Sequence, residues 1–322
     1  MGENFQDSLN KLYFSQFIIT YLPHSELQLP VLKENIFRGQ FGSHLRTLFC
    51  VFHSPRPCKD CIVRFNCVYA RLFETFPNFH QNSAYSLEKA PHPYVFSMVD
   101  PHKRLFKKNE PIEVLMTIIG SALEYIPYFI LALENMGKSG IGKFRIEMDL
   151  KRIVSGQNVV YNGDHQHIVQ KFEQIGANYW SGANDTPVSQ LELELLTPLR
   201  IERLGKIAET IDFELLMRNV YRRLYLLSAF FCGGPHHPDM TDALTGLDRV
   251  KVGVHDVEWQ KIERYSGRQH ATMNMSGLLG RIVYQGELDA YRSALLAAEY
   301  LHIGKWTTFG LGKFKLRFNH FS

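Results

Sequence analysis

Two stretches of this 322-residue chain carry the same signature, GIGKFRIEMD at 140–149 and GLGKFKLRFN at 310–319. Each spells G-x-G-K-F followed by a basic residue, and each leads into an alternating run. After Gly312 the order is Lys313, Phe314, Lys315, Leu316, Arg317, Phe318. Swapping polar and apolar residues at every step is the period of a strand with one buried and one wet face. The glycines suit a loop in which the backbone turns sharply or approaches another backbone. A repeat at this separation implies two similar half-chains. It is too long for a solenoid, whose units run about 20–50 residues.

The segments between the repeats extend that reading. In the first half, 11–21 reads as a strand, and 32–49 places Phe37, Phe41, Leu45 and Leu48 at helical spacing. A cysteine-rich insertion covers 50–67, with a helical piece through Phe73. Segments 94–99 and 112–118 read as strands. Ser121 is placed to N-cap a helix through Asn135 with Gly137 as its stop, and 143–150 reads as the last strand. The second half repeats this order. Residues 190–197 alternate until Pro198, and 212–231 is an amphipathic helix. Segment 233–246 is loop-like, 250–259 and 278–285 are strands, 288–300 is a helix, and 313–318 is the final strand.

Both halves therefore run β-α-β-β-α-β, the ferredoxin-like split βαβ motif. The expected class is α+β, with two tandem ferredoxin-like (RRM-like) domains at 1–152 and 188–322. A largely polar linker, 153–187, with a hairpin near 161–163, joins them. Hydrophobic content of 45% supplies apolar mass for two cores, and a net charge of +4 mildly favours an anionic partner.

Several functions are set aside. GKSGIGK at 137–143 fits a nucleotide-binding P-loop only until its last position, where Phe144 replaces the magnesium-holding Ser or Thr. Its context is also reversed, because it follows a helix and opens a strand. The apolar stretch 114–133 carries Glu124 and Pro127 and divides better into strand and helix than into a membrane span. The N-terminal residues show no signal pattern, and Gln6 breaks the myristoylation consensus, so the expected location is the cytoplasm.

Four of five cysteines stand together, Cys50, Cys58, Cys61 and Cys67, in the spacing C-x7-C-x2-C-x5-C. Four thiolates at such spacing favour structural zinc, with an iron–sulfur cluster or no metal at all as the alternatives. Cys232 reads as a buried thiol.

The stretch LHIGKWTTFGLGKFKL (301–316) resembles the glycine-rich loop of the RAMP superfamily of CRISPR-associated proteins. It is most similar to the sixth Cas family, the endoribonucleases that cut precursor CRISPR RNA within its repeats. FRGQFGSHLRTLFC (37–50), leading into the cysteine cluster, resembles a subgroup of that family, and 259–288 resembles its second-domain segment. The resemblance implies metal-independent cleavage, with no cofactor in catalysis. The ribose 2′-OH attacks the adjacent phosphate, leaving 2′,3′-cyclic phosphate and 5′-OH ends. Such chemistry needs a base, an acid and a cation for the added negative charge.

The resemblance places the catalytic histidine in or just after the first helix, which here offers His44 and His53. A packing role for His44, at the edge of its apolar stripe, and a metal-ligand or solvated role for His53 are the alternatives. Arg46 and Tyr13 are supporting candidates by position. For RNA binding, Lys261, Arg264 and Arg268 interleave with Trp259 and Tyr265. Lys305 and Lys313 flank the loop at 304–313, where the N–H groups of Gly304, Gly310 and Gly312 are candidate phosphate donors. Arg218 and Arg222 share a helix face, either solvated or docking RNA or a partner. The expected partners are CRISPR repeat RNA and effector-complex subunits, with the chain monomeric or homodimeric. The rival reading is a non-cleaving RAMP subunit that holds guide RNA.

Overall fold

The structure, a computed structural model, describes residues 3–52, 57–76, 90–181, 187–266 and 271–320. The chain divides into two compact units. One comprises 11–176 and 226–237, the other 1–10, 177–225 and 238–322.

In the first unit, strand β1 (Phe14–Pro23) buries every second residue, so Phe17, Ile19 and Tyr21 face the core. Helix α1 (Glu34–Phe49) covers that face with Phe37, Phe41 and Leu45, each completely buried. Strands β2 (Tyr94–Met98) and β3 (Ile112–Ile119) follow, then helix α2 (Ile126–Ser139) and strand β4 (Met148–Ser155). The two helices meet through Phe41 and Phe129, whose rings stack 5.2 Å apart. Gly42 leaves room for Phe73, whose ring lies 2.1 Å from where a Cβ would stand.

Strands β5 (Asn158–Asn162) and β6 (His167–Ile168) extend the same sheet. Its order is β2-β3-β1-β4-β5-β6, antiparallel throughout. Residues 153–155, 158–162 and 167–168 of the polar segment expected to be linker therefore belong to the sheet. Hairpin turns fall between Ser155 and Asn158 and between Asn162 and His167, the second overlapping the hairpin expected near 161–163.

The second unit holds strand β7 (Val188–Leu199), the short hairpin β8 (Glu202–Arg203) and β9 (Lys206–Ile207), and helix α3 (Phe213–Phe231) up to Tyr225. Strand β10 (Lys251–Gln260), a second hairpin β11 (Glu263–Ser266) and β12 (Ala271–Asn274), and strand β13 (Gly277–Gln285) come next. Helix α4 (Asp289–Leu301) and strand β14 (Phe314–His320) complete it. The main sheet runs β10-β13-β7-β14, again all antiparallel. In both units the first β-strand of the motif lies between its third and fourth, the ferredoxin-like order. The tandem ferredoxin-like α+β fold is thus the observed one.

Four local expectations are corrected. The second helix of the first unit does not begin at Ser121. A 3-10 turn spans Gly120–Tyr125, and the α-helix starts beside Pro127, whose missing N–H is tolerated in a first turn. Gly137 does not end it. That glycine sits inside the helix, where a Cβ would stand 2.5 Å from the Met148 carbonyl, and the cap is Gly140 at φ 73°.

The last strand of the first unit begins at Met148 rather than at 143. Ile141 and Ile146 exchange backbone hydrogen bonds of 3.0 Å and close a turn, leaving Phe144 at its tip, 79% exposed. The two G-x-G-K-F copies are therefore not equivalent, since Phe314 enters its strand directly and is buried.

Strand β7 continues through Pro198 to Leu199. Its pairing with β13 is irregular there, and a bulge is where a strand tolerates proline. No described helix is long and apolar enough to cross a membrane.

Candidate nucleic-acid interface

The glycine-rich loop is built by backbone crowding. Gly304 (φ 81°) lies against the Arg200 carbonyl, which a Cβ would approach to 2.4 Å, and Gly312 (φ 68°) lies against the Ile303 carbonyl at 1.8 Å. The Gly310 N–H donates to Thr307 O and the Gly312 N–H to Pro198 O. The first of these bonds closes within the loop and the second ties it to β7, so Gly310 and Gly312 shape the loop rather than offering donors outward. Lys313 is half-buried, and its N–H donates to Thr197 Oγ1. His302, buried behind the loop, has its Nδ1 3.2 Å from Leu311 O. Burial, together with the Lys313 and Arg223 cations, lowers its pKa to about 3 despite that hydrogen bond.

Beside this loop lies a cavity of about 740 Å³. Its walls come from the start of α3, the β8–β9 hairpin and Gly304–Lys305. Five cationic side chains line it, Arg200, Arg203, Arg218, Arg222 and Lys305, against the carboxylates of Glu202 and Glu214. Arg218 and Arg222 share its helical wall as their i,i+4 spacing predicts.

Arg218 Nε donates to Glu214 at 2.8 Å, Arg203 pairs with Asp212, and Lys305 pairs with Glu202. Arg222 is exposed and forms no ion pair among the described residues. Asp212 also accepts the Leu215 N–H at 2.8 Å, capping the helix. Burial alone raises its pKa; the hydrogen bonds from Leu215 and Arg203 outweigh that and hold it below its usual value.

Arg200 is buried, donates to Ser276 O, and has its Cζ 4.7 Å from the Trp306 ring centroid. Trp306 thus packs within its own unit. Arg223, by contrast, caps α4 by donating to Leu301 O at 3.0 Å.

The open face of the second sheet is a poorer place for an anion. Glu192 pairs with Arg281 at 3.4 Å and with Arg317 at 2.9 Å, and Arg317 also reaches Glu194 at 3.3 Å. Those carboxylates neutralise the arginines and repel phosphate.

The remaining candidates are dispersed. Lys261 is exposed between β10 and β11. Arg264 on β11 places its Cζ 5.2 Å from the Phe309 ring, tying that hairpin to the glycine-rich loop. Arg268 and His53 lie outside the described residues. In the first unit, His44 is half-buried on α1, and burial lowers its pKa. Arg46 lies two residues on, about 200° around the helix, with its Cζ 5.9 Å from the Tyr69 ring. The two are not brought together. Tyr13 precedes β1 rather than lying on it, and burial, with the neighbouring Cys232 and Glu124, raises its pKa.

Cys58 feels Glu74, Arg46, Cys67 and Cys50 electrostatically, and burial raises its pKa first of all. Yet among the described residues no three His, Cys, Asp or Glu side chains gather at a point where they would hold a metal. The four thiols as placed do not make a four-thiolate shell.

The basic groove and glycine-rich loop fall in the stretch that matches a family model. Residues 193–314 match the CRISPR-associated endoribonuclease Cas6, and 12–174, half of the chain, match the AF_1859_N model, described as an N-terminal domain. The chain belongs to the Cas6 family of CRISPR-associated endoribonucleases, with an AF_1859_N-type first half.

Its similarity to an Archaeoglobus fulgidus protein, described as uncharacterized, is 24% identity over 95% of this chain and 96% of that one. Among solved structures, Thermus thermophilus Cas6 superposes with a TM-score of 0.52 at 11% identity, covering 95% of this chain and 99% of that one. A chain of a partial Cas6-RT-Cas1–Cas2 complex gives 0.55 at 8% identity over 97% of this chain. Our chain spans about half of that longer one, 47%. These likenesses establish a shared fold.

Proposed function

We propose that this Cas6-family chain cuts precursor CRISPR RNA within its repeats, in the cytoplasm, by metal-independent attack of a ribose 2′-OH on the adjacent phosphate. The observation that carries the reading is the coincidence of the Cas6 match with the basic groove and the glycine-rich loop. Phosphodiesters supply the anionic ligand that five clustered cations favour.

In this reading His44 is the general base. Burial keeps its imidazole neutral at pH 7, the form that accepts the 2′-OH proton. His53 is the second candidate for base or acid. Tyr13 has a raised pKa, so its phenol stays protonated at neutral pH and suits the acid role toward the 5′ oxygen. Arg46, on a different face of the same helix, is the candidate cation for a phosphate of the bound strand other than the one beside His44. Lys261, Arg264, Arg268, Lys305 and Lys313 are the candidate side chains that bind the repeat.

The test is a single-turnover assay on end-labelled repeat RNA from the same genome, with the products' termini identified. A 2′,3′-cyclic phosphate on one fragment and a 5′-OH on the other support the proposal. A 3′-OH with a 5′-phosphate refutes the mechanism, and tight binding with no cleavage supports the guide-holding subunit instead.

A further inference from the structure

The β8–β9 hairpin ends in a two-residue loop, Leu204-Gly205, between the paired residues Arg203 and Lys206. Both loop residues have positive φ, 52° and 78°. That is the type I′ geometry, which asparagine or aspartate followed by glycine normally fills, because a bulkier side chain is strained there. Leucine occupies the first position, and it is 99% exposed. It therefore gains nothing from burial and adds strain to its turn. Folding gives no reason for it. A ligand does, because this tip is also a wall of the cationic groove, beside Arg203 and facing the same cavity as Arg222 and Lys305.

We propose that Leu204 is an apolar wedge that packs on the face of an unpaired RNA base while the groove behind it holds the phosphates of the same strand. The inference deepens the RNA reading above and rests on it. An unpaired strand presents flat apolar base faces next to its phosphates, so an apolar side chain flanked by cations meets both chemistries at once. A continuous duplex hides those faces in its stack. The wedge accordingly selects single-stranded over double-stranded RNA at this end of the site. Arg222, which has no carboxylate partner among the described residues, is the first cation available to a phosphate.

Leu204→Gly tests the wedge cleanly, since glycine relieves the positive φ and the fold should be unchanged or firmer by thermal denaturation. Binding to fluorescently labelled single-stranded repeat RNA should weaken about tenfold with an unaltered salt slope, because no charge is removed. Arg222→Gln should weaken binding and flatten the slope by about 0.7, the single-strand increment for one phosphate. A 2-aminopurine scan of the RNA should show one position whose emission changes on binding to the wild type and not to Leu204→Gly.

On a perfect duplex of the same sequence, wild type and Leu204→Gly should bind alike. Equal binding of single-stranded RNA by both overturns the wedge while leaving the RNA reading intact. Equal losses on single strand and duplex also overturn it. Failure of the wild type to bind any repeat RNA overturns the RNA reading itself, and a role for the tip in protein docking would then be the one to examine.

Discussion

Glu214 and Arg218 stand one helical turn apart on the groove wall, with Oε1 of the first accepting a hydrogen bond from Nε of the second at 2.8 Å. Both side chains are about half exposed, so the pair contributes under about 1 kcal/mol. A phosphate, with its charge-assisted hydrogen bonds, displaces the carboxylate at little cost. Glu214→Gln is therefore expected to tighten RNA binding about three- to tenfold at low salt, with the gain shrinking as salt rises. Titrations at two salt concentrations check this. Weaker binding would mean that Glu214 is needed to orient Arg218.

Gly312 and Gly205 have similar positive φ values, 68° and 78°, in different surroundings. A Cβ on Gly312 would stand 1.8 Å from the Ile303 carbonyl, whereas one on Gly205 meets nothing within 4 Å. Gly312→Ala should then lower stability by at least about 3 kcal/mol, combining strain with a backbone clash. Gly205→Ala should cost about 1 kcal/mol, from strain alone. Urea unfolding of both variants separates the terms.

His302 makes stability depend on pH. Its folded pKa, about 3, is lower than its ordinary 6.5. The unfolded chain therefore takes up a proton that the folded chain refuses as pH falls below 6.5. This contribution is fully present above pH 6.5. It declines toward pH 3 with a slope of up to about 1.4 kcal/mol per pH unit. His302→Gln should flatten that slope in denaturant titrations between pH 6.5 and 4, even if it is less stable at neutral pH.

The architecture was legible because both halves signal by period. Alternation in QLELELLT and the Phe37, Phe41, Leu45 stripe each place one face against a core, and burial follows them. The errors lie where tertiary contacts override local rules. Gly137 resembles a helix stop, but its missing side chain admits a carbonyl from the next strand. The Lys143–Phe144–Arg145 alternation is strand-like, but a two-isoleucine bridge makes it a turn.

At the site, the Arg218 and Arg222 spacing was visible, whereas the groove itself was not. Its opposite wall comes from Arg203 and Leu204, distant in sequence from the glycine-rich loop. The signal present was the dipeptide Leu204-Gly205, a turn sequence with an apolar residue where a polar one belongs.

The proposed base leads to a pH profile. Burial depresses the His44 pKa, so the acid limb of kcat/KM should lie below pH 6.5, with activity falling as pH drops and His44 takes a proton. His44→Ala should abolish the limb and reduce single-turnover cleavage at least about a hundredfold with little change in RNA affinity. An acid limb above pH 6.5, or a fully active variant, would shift the role to His53.

The most direct test of the account is cleavage of repeat RNA in EDTA, run beside a matched RNA carrying a single 2′-deoxy nucleotide at the cut position. The account predicts full cleavage of the first and none of the second, at equal affinity. Cleavage of the deoxy substrate, or activity that vanishes with EDTA and returns with a divalent metal, would contradict it.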